Sequence, residues 1–480
     1  MKKLAALPEY KPDQSNNSAV LLQAENVFPA EDGYRSVGDI QTVSDALASA
    51  FMGGASAIAS DGDAFLLAGT ASNLYSLDPD GSWTSILSGL AVTGRWKFAT
   101  FKNTAGDDFC VSVNGTSTTY AVDLDAGTAA SITDAPGATD VCVVGDHVVI
   151  ARPDGDISKV AWSAFGDHTG WTVGTNQAGD QPMRTGGPVM AVVGGEYGII
   201  LQRNRIVRMT LTGDADAPFQ FDEISSNYGC ADGATVAVAG RTIFFRSDRG
   251  FVALDDGQNL RTIGSEKVDR AFAREVSRDD LGALYTAIDP ENNIVAWLVP
   301  GQPGQAWLLN FELNRWSTLS INANGLFPGF TTSVGLDDLP GLGFTNLDTM
   351  GISLDDPRWS GGNPRLYFVD EANAIGNLTG DTLPALIEMA NVQLDPVRKA
   401  RVRSVRPVWD GTGGMTVRVN AKQRLGDADE LTSESTLRTS GIVPIRVAGR
   451  YLSTRIEIAA GVDWDYIQAV EFDYEQGGER

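Results

Sequence analysis

"TIFFRSDRGFVALDDGQNLRTIG" (242–264) decides how the chain folds. Apolar and aromatic residues run to Phe245, a polar segment at Ser247–Gly250 turns the chain, and apolar residues resume at Phe251. Asp256-Gly257 marks a second turn, a dipeptide favoured in two-residue hairpins because both positions need positive φ. The stretch reads as strand, turn, strand, turn and the start of a third strand, with Phe245 and Phe251 facing a core and Gly250 free to take positive φ.

The same shape recurs on either side. Strand-like apolar starts appear at Ala64 ("AFLLAGTASNLYSLD"), Phe109, His147, Tyr197, Asn293 and Arg365 ("RLYFVDEANAIGNLTG"). A spacing of roughly 40–50 residues with several strands per unit is the signature of propeller blades. The expected fold is all-β: a β-propeller of about seven blade-like modules over residues 56–390, preceded by an N-terminal arm over 1–55. Closing the ring also removes most exposed sheet edges. Helical periodicity is scarce. "EKVDRAFAREV" (266–276) spaces Val268, Phe272 and Val276 four apart, and "TVSDALASAF" (42–51), with Ser44 as cap, is a weaker helical candidate.

Two regions break the repeat. Residues 321–363 are rich in Gly and Pro and read as an inserted loop ordered by contact with a partner, with Phe327, Phe330 and Phe344 as candidate contacts. After residue 391 the strands lengthen and alternate, as in "YLSTRIEIAA", where Leu452, Thr454, Ile456 and Ile458 share one face. Residues 391–480 are therefore expected to form a separate C-terminal β-sandwich. Its first strand carries Arg398, Lys399, Arg401, Arg403 and Arg406. This cluster reads either as the charged outer face of an edge strand or as a patch for an acidic neighbour, such as another copy of the chain.

37 Lys and Arg stand against 61 Asp and Glu, a net charge of −24, which reads first as a means of solubility. Such a surface is poorly suited to hold nucleic acid by phosphate neutralisation. It would instead repel a passing duplex and keep it from sticking. No apolar run approaches the roughly 20 residues that cross a bilayer, and the apolar run in "MKKLAALPEYKPDQ" is too short for a signal-peptide core. A soluble chain without a secretion address is the expectation. Cys110, Cys142 and Cys230 lack metal-site spacing and read as small buried hydrophobes in a reducing compartment.

Catalytic signals are weak. His147 and His168 have no nucleophile elbow beside them and read as polar turn residues. Acidic pairs such as Asp78/Asp80, Asp154/Asp156 and Asp255/Asp256 adjoin Gly or Pro, where Asp bonds its own backbone to make turns. "DPDGSW" opens like a calcium loop but lacks the closing glutamate. No phosphate-cradling glycine motif follows a strand and opens a helix. On these grounds the chain is expected not to be an enzyme, with no catalytic residue, no cofactor and no metal.

"GRTIFFRSDRGFVALDDGQNLRTIGSEKVDRAF" (240–272) resembles a segment recurrent in virion proteins of tailed bacteriophages, where a hairpin of the "FFLS-DGF" type precedes "IG-x-x-KVD". "AIDPENNIVAWLVP" (287–300), "LLNFELNRWSTL" (308–319) and "AENVFPAEDGYRSVGDIQTVSDAL" (24–47) are similar to further pieces of it. The family comprises the tail nozzle or tail hub proteins of short-tailed phages, the packaged-DNA-stabilising type included. The resemblance implies a β-propeller body in a ring of about six copies around the DNA exit channel. Such a ring retains DNA, docks to the portal-adaptor protein and carries tail needle or fibre proteins. Double-stranded DNA passes without sequence-specific binding, and no membrane is involved. It further implies a virion tail location after assembly in the host cytoplasm, and it supplies no catalytic residues. The loop 321–363 and the sandwich are not features of that family. Two other readings stand beside this one: a receptor-binding or adhesive propeller of a virion, and a glycan-cleaving propeller enzyme.

Overall fold

A computed structural model describes residues 1–331, 362–427 and 433–477. Its strands form a seven-bladed β-propeller joined to a two-layered β-sandwich. Blades 1 to 6 cover residues 51–87, 97–131, 140–182, 189–225, 237–262 and 285–323, each with four antiparallel strands in chain order. Blade 7 takes three strands from 325–377 and its fourth, Gln41–Ala46, from near the N-terminus. The first strands of all seven blades line one cavity on the propeller axis.

The sequence repeat marks one particular strand in every blade. Ala64–Thr70, Asp108–Val113, His147–Ala151, Gly198–Gln202, Thr242–Ser247, Ile294–Val299 and Pro364–Val369 are the second strands. These strands are packed between neighbouring blades, and His147–Ala151 and Gly198–Gln202 are buried along their whole length. Burial on both faces produces continuous apolar runs rather than alternation, which made them visible.

In blade 5, Thr242–Ser247 pairs with Gly250–Asp255, and Ser247 stands opposite Gly250. Phe245 and Phe251 are fully buried. Gly250 has φ +135°, and a Cβ there would lie 2.2 Å from Asp269 Oδ2, so only glycine fits. Asp256 and Gly257, with φ 51° and 61°, make the turn into Asn259–Thr262. Phe251 then joins blade 5 to blade 6, its ring 4.7 Å from Trp297 and 5.1 Å from Trp316.

A helix forms at Asp269–Glu275, inside the expected segment. The helical expectation for 42–51 is corrected, because Gln41–Ala46 is the strand that closes blade 7. It pairs with Ala374–Asn377, and Ser44 Oγ accepts a hydrogen bond from Ile375 N at 2.9 Å instead of capping a helix. Pairing with a segment distant in sequence outweighs weak local helix preference.

The arm drawn over 1–55 divides among three places. Lys2–Ala6 and Gly33–Ser36 pair with Tyr466–Gln476 in one layer of the sandwich. Leu21–Glu25 bridges the other layer to the outer strand of blade 6, and Gln41–Ala46 belongs to blade 7. Ala385–Val392, Tyr451–Ile458 and Met415–Lys422 thereby continue the sheet of blade 6. The sandwich is consequently not a separate body. Its Val402, Val417, Ile456 and Phe472 share one core with Phe251, Phe272, Trp297 and Trp316 of the propeller. The four residues of "YLSTRIEIAA" named above are buried, while Arg455 and Glu457 are half-buried.

The region expected to be a loop over 321–363 begins with the end of blade 6's last strand, Arg315–Ala323, and continues as blade 7's first strand, Gly325–Phe330. Phe327 is buried there, stacked 5.4 Å from Phe51 and 5.6 Å from Tyr367, which corrects its assignment as a partner contact. An aromatic used this way closes blade 7 against blade 1 and cannot reach a partner. Phe330 ends the same strand, half-buried. Phe344 and residues 332–361 lie outside the described residues.

Candidate functional sites: the propeller axis and the arginine face

The axial cavity has a volume of about 980 Å³. Its charged lining residues are Arg95, Lys97 and Asp140, against walls that are mostly Val, Ala, Gly and Phe. Arg95 and Lys97 flank Trp96, the residue that positions them. The Trp96 ring lies on Gly69, where a Cβ would approach it to 2.2 Å, and its Nε1 donates to Thr70 O at 3.0 Å. Arg95 donates to Ala283 O at 2.6 Å and stacks 3.5 Å from the centre of the Tyr285 ring. Blade 2 is thereby tied to blade 6. Tyr285 in turn donates its hydroxyl proton to Phe51 O of blade 1 at 2.9 Å.

Asp140 opens blade 3 and is buried. Its carboxylate accepts backbone hydrogen bonds from Val141 N at 3.1 Å and Val192 N at 2.9 Å, linking blades 3 and 4. Burial raises its pKa above the usual carboxylate range, against the opposing pull of Lys97, the two hydrogen bonds and Arg152. Lys97 itself makes no hydrogen bond or close ion pair among the described residues and acts on Asp140 through space.

The second site is the outer face of the sandwich. Arg401, Arg403 and Arg406 are exposed on Ala400–Trp409, while Val402 and Val405 point into the core. Strict alternation would bring Val405 to the outside. An irregularity between Val402 and Ser404 resets the pleat and returns Arg406 to the outer face. The neighbouring Tyr466–Gln476 presents Glu471, Asp473 and Glu475, so a basic stripe adjoins an acidic one. Arg403 pairs with Glu475, and Glu471 with Lys2 at 2.7 Å. Arg401 and Arg406 have no ion-pair partner among the described residues, and exposed Arg446 on Val443–Gly449 extends the stripe. Arg398 and Lys399 lie before the strand, where Asp395 Oδ1 accepts from Arg398 N at 2.8 Å. The sequence signalled this stripe as a run of arginines, whereas Arg95, Lys97 and Tyr285 carry no local pattern.

The remaining titratable residues are structural. Neither histidine is a polar turn residue of the ordinary kind, because both are buried. His147 hydrogen-bonds Ser163 O at 2.7 Å and lies between Phe165 and Phe219, and the His168 ring sits 4.1 Å from Phe109. All three cysteines are buried and unpaired, and burial pushes the Cys110 and Cys230 thiols up to about 12. Asp80 and Asp156 bond Ser82 and Ser158 two residues ahead, making turns. Among the described residues no group of three or more His, Cys, Asp or Glu could hold a metal.

No family model matches the chain, and no curated protein matches it. Solved structures do. A streptogramin B lyase is 11% identical with a TM-score of 0.38, the match covering 70% of this chain and 97% of that one. Virginiamycin B lyase from Staphylococcus aureus is 10% identical with a TM-score of 0.41, over 70% of this chain and 98% of the other. PorZ, a surface component of the type-IX secretion system of Porphyromonas gingivalis, is 10% identical with a TM-score of 0.37, covering 75% and 43%. Identities this low assign no activity to the chain. They do correct the expectation that it is not an enzyme. Lyases stand among these neighbours, and the lack of a familiar catalytic motif is itself no ground for excluding catalysis.

Proposed function

We propose that this propeller is a structural virion protein that assembles with copies of itself into the tail nozzle or hub ring of a short-tailed bacteriophage. The ring surrounds the DNA exit channel, retains the packaged duplex and docks the portal-adaptor and the needle or fibre proteins. The observation that carries the reading is the outer sheet of the sandwich, where Arg401, Arg406 and Arg446 have no ion-pair partner among the described residues, on a chain of net charge −24. A basic stripe on an acidic protein is complementary to the rest of that protein's own surface, and contacts between unlike patches build a ring when the rotation between copies closes. The similarity of residues 240–272 and 287–319 to virion segments supports the same reading. Acidic surface facing a lumen lets a polyanion slide, because Lys and Arg contacts with phosphate are what create binding.

The test is the mass of the chain by multi-angle light scattering, alone and with purified phage particles or portal-adaptor complex. A closed ring or uptake into particles is expected. A chain that stays monomeric under both conditions and never sediments with particles overturns the proposal.

A further inference from the structure

The axial cavity has the size of a small-molecule site, within the roughly 300–1,000 Å³ such sites span, and the same composition: apolar walls with a few convergent polar groups. Three features of it point to one ligand chemistry. The lining holds two cations, Arg95 and Lys97, against a single carboxyl, Asp140, so its charge is opposite in sign to that of the protein as a whole. Asp140 accepts one backbone hydrogen bond on each oxygen and makes no hydrogen bond to Lys97 among the described residues, so it offsets only one of the two positive charges through space. The first strand of each blade is also a sheet edge, and its backbone groups on that side face the cavity without a strand partner.

We propose that the axial cavity binds a small organic anion with an apolar body, the acidic group held by Lys97 and Arg95 and the body resting against Val143, Val193 and Val238. Arg95 keeps donors to spare beyond its bond to Ala283 O, and its stacking on Tyr285 holds the guanidinium in place before any ligand arrives. Lys97 is the adaptable partner, since no hydrogen bond fixes its ammonium among the described residues. A neutral ligand would leave the second positive charge of the lining, the one that Asp140 does not offset, without a counter-charge. A polyvalent cation would meet two positive groups.

The experiment titrates the full chain with 8-anilinonaphthalene-1-sulfonate and with the uncharged N-phenyl-1-naphthylamine, following fluorescence. Saturable binding at one site per chain is expected, with the sulfonate preferred by roughly tenfold, the usual weight of one charge-assisted contact. Lys97→Met should remove most of that preference and leave the uncharged compound unaffected, while Lys97→Arg retains it. Val238 is 43% exposed, so Val238→Trp crowds the wall against which the apolar body rests without disturbing a core and should weaken binding of both compounds. Circular dichroism spectra that match the parent establish that the variants are folded. Absence of saturable binding, equal affinity for the two compounds, a Lys97→Met variant with unchanged preference, or full binding by Val238→Trp would each overturn the proposal.

Discussion

Arg95 and Tyr285 meet across the propeller axis, guanidinium over ring at 3.5 Å, although they stand on blades 2 and 6. Such a bar resists spreading of the blades, and its parts are separable. Arg95→Ala loses the cation–π contact and a charged hydrogen bond, and should lower unfolding free energy by about 2–3 kcal/mol. Tyr285→Phe keeps the ring and loses only the bond to Phe51 O, costing about 1 kcal/mol. Urea unfolding of Arg95→Ala, Tyr285→Leu, which removes the ring, and the double variant should give a coupling energy of about 1 kcal/mol. Strict additivity would show that the stack contributes nothing.

Gly250 tests the hairpin that decided the fold. Gly250→Ala must put a methyl 2.2 Å from Asp269 Oδ2 at φ +135°, and the carboxylate cannot withdraw freely because Arg246 and Phe251 N both donate to it. A loss of about 3 kcal/mol or more is expected, among the largest single-residue effects. Gly413→Ala is the control, since nothing lies within 4 Å of a Cβ there. Its stability should move by less than about 0.5 kcal/mol.

Ring closure by the N-terminal segment is checked by cross-linking. Ala46 and Ala374 stand opposite each other in the antiparallel pair. The double variant Ala46→Cys/Ala374→Cys should oxidise to a disulfide, because directly opposed residues have suitable Cβ separation. The native cysteines are buried and should not compete. A reductant-sensitive gain of roughly 2–4 kcal/mol in unfolding free energy is expected. Failure to cross-link under oxidant would place the segment elsewhere.

Acid should weaken the protein through its two histidines. Burial is the main cause holding the pKa of each below its ordinary value. The unfolded chain therefore takes up protons first, at about pH 6.5, while the folded chain does not. Stability is full above that pH and falls on acidification towards the depressed folded values, at no more than about 1.4 kcal/mol per pH unit per histidine. His168→Phe keeps the contact with Phe109 and removes a buried Nδ1 that has no hydrogen-bond partner among the described residues, so it should shallow the decline between about pH 7 and 5.5. An unchanged slope in urea titrations would exclude His168 as a source.

What the sequence disclosed follows from where each signal resides. The second strand of every blade announced itself because burial on both faces leaves an uninterrupted apolar run, as in "HVVIA" at 147–151. The strand at 41–46 was misread as helix because its partner at 374–377 is remote, and no local pattern encodes that pairing. Phe327 looked available for the same reason, since its neighbours Phe51 and Tyr367 come from other strands. The axial site escaped notice altogether, as Arg95, Lys97, Asp140 and Tyr285 converge only when the ring closes. The arginine run was legible, but the irregularity that puts Arg406 beside Arg401 and Arg403 was not.

That irregularity makes the proposed assembly surface testable while leaving the protein folded. Arg401 and Arg406 are exposed and stand opposite Glu475 and Glu471 in the sheet, so Arg401→Glu/Arg406→Glu sets like charges face to face and should lower unfolding free energy by up to about 1 kcal/mol per site, leaving the protein folded. Reversing two charges in the stripe nevertheless removes its attraction to an acidic neighbour and adds repulsion. Light scattering and co-sedimentation with particles should show loss of self-association or of particle uptake. In the parent chain the same association should weaken as salt rises to about 1 M, where screening shortens to about 3 Å. The charge-conserving double variant Arg401→Lys/Arg406→Lys should retain most of it, because exposed charge rather than bidentate geometry carries the contact. If the glutamate variant assembles like the parent, the arginine face is only the solvated side of a sheet and the ring contact must be sought on the blades.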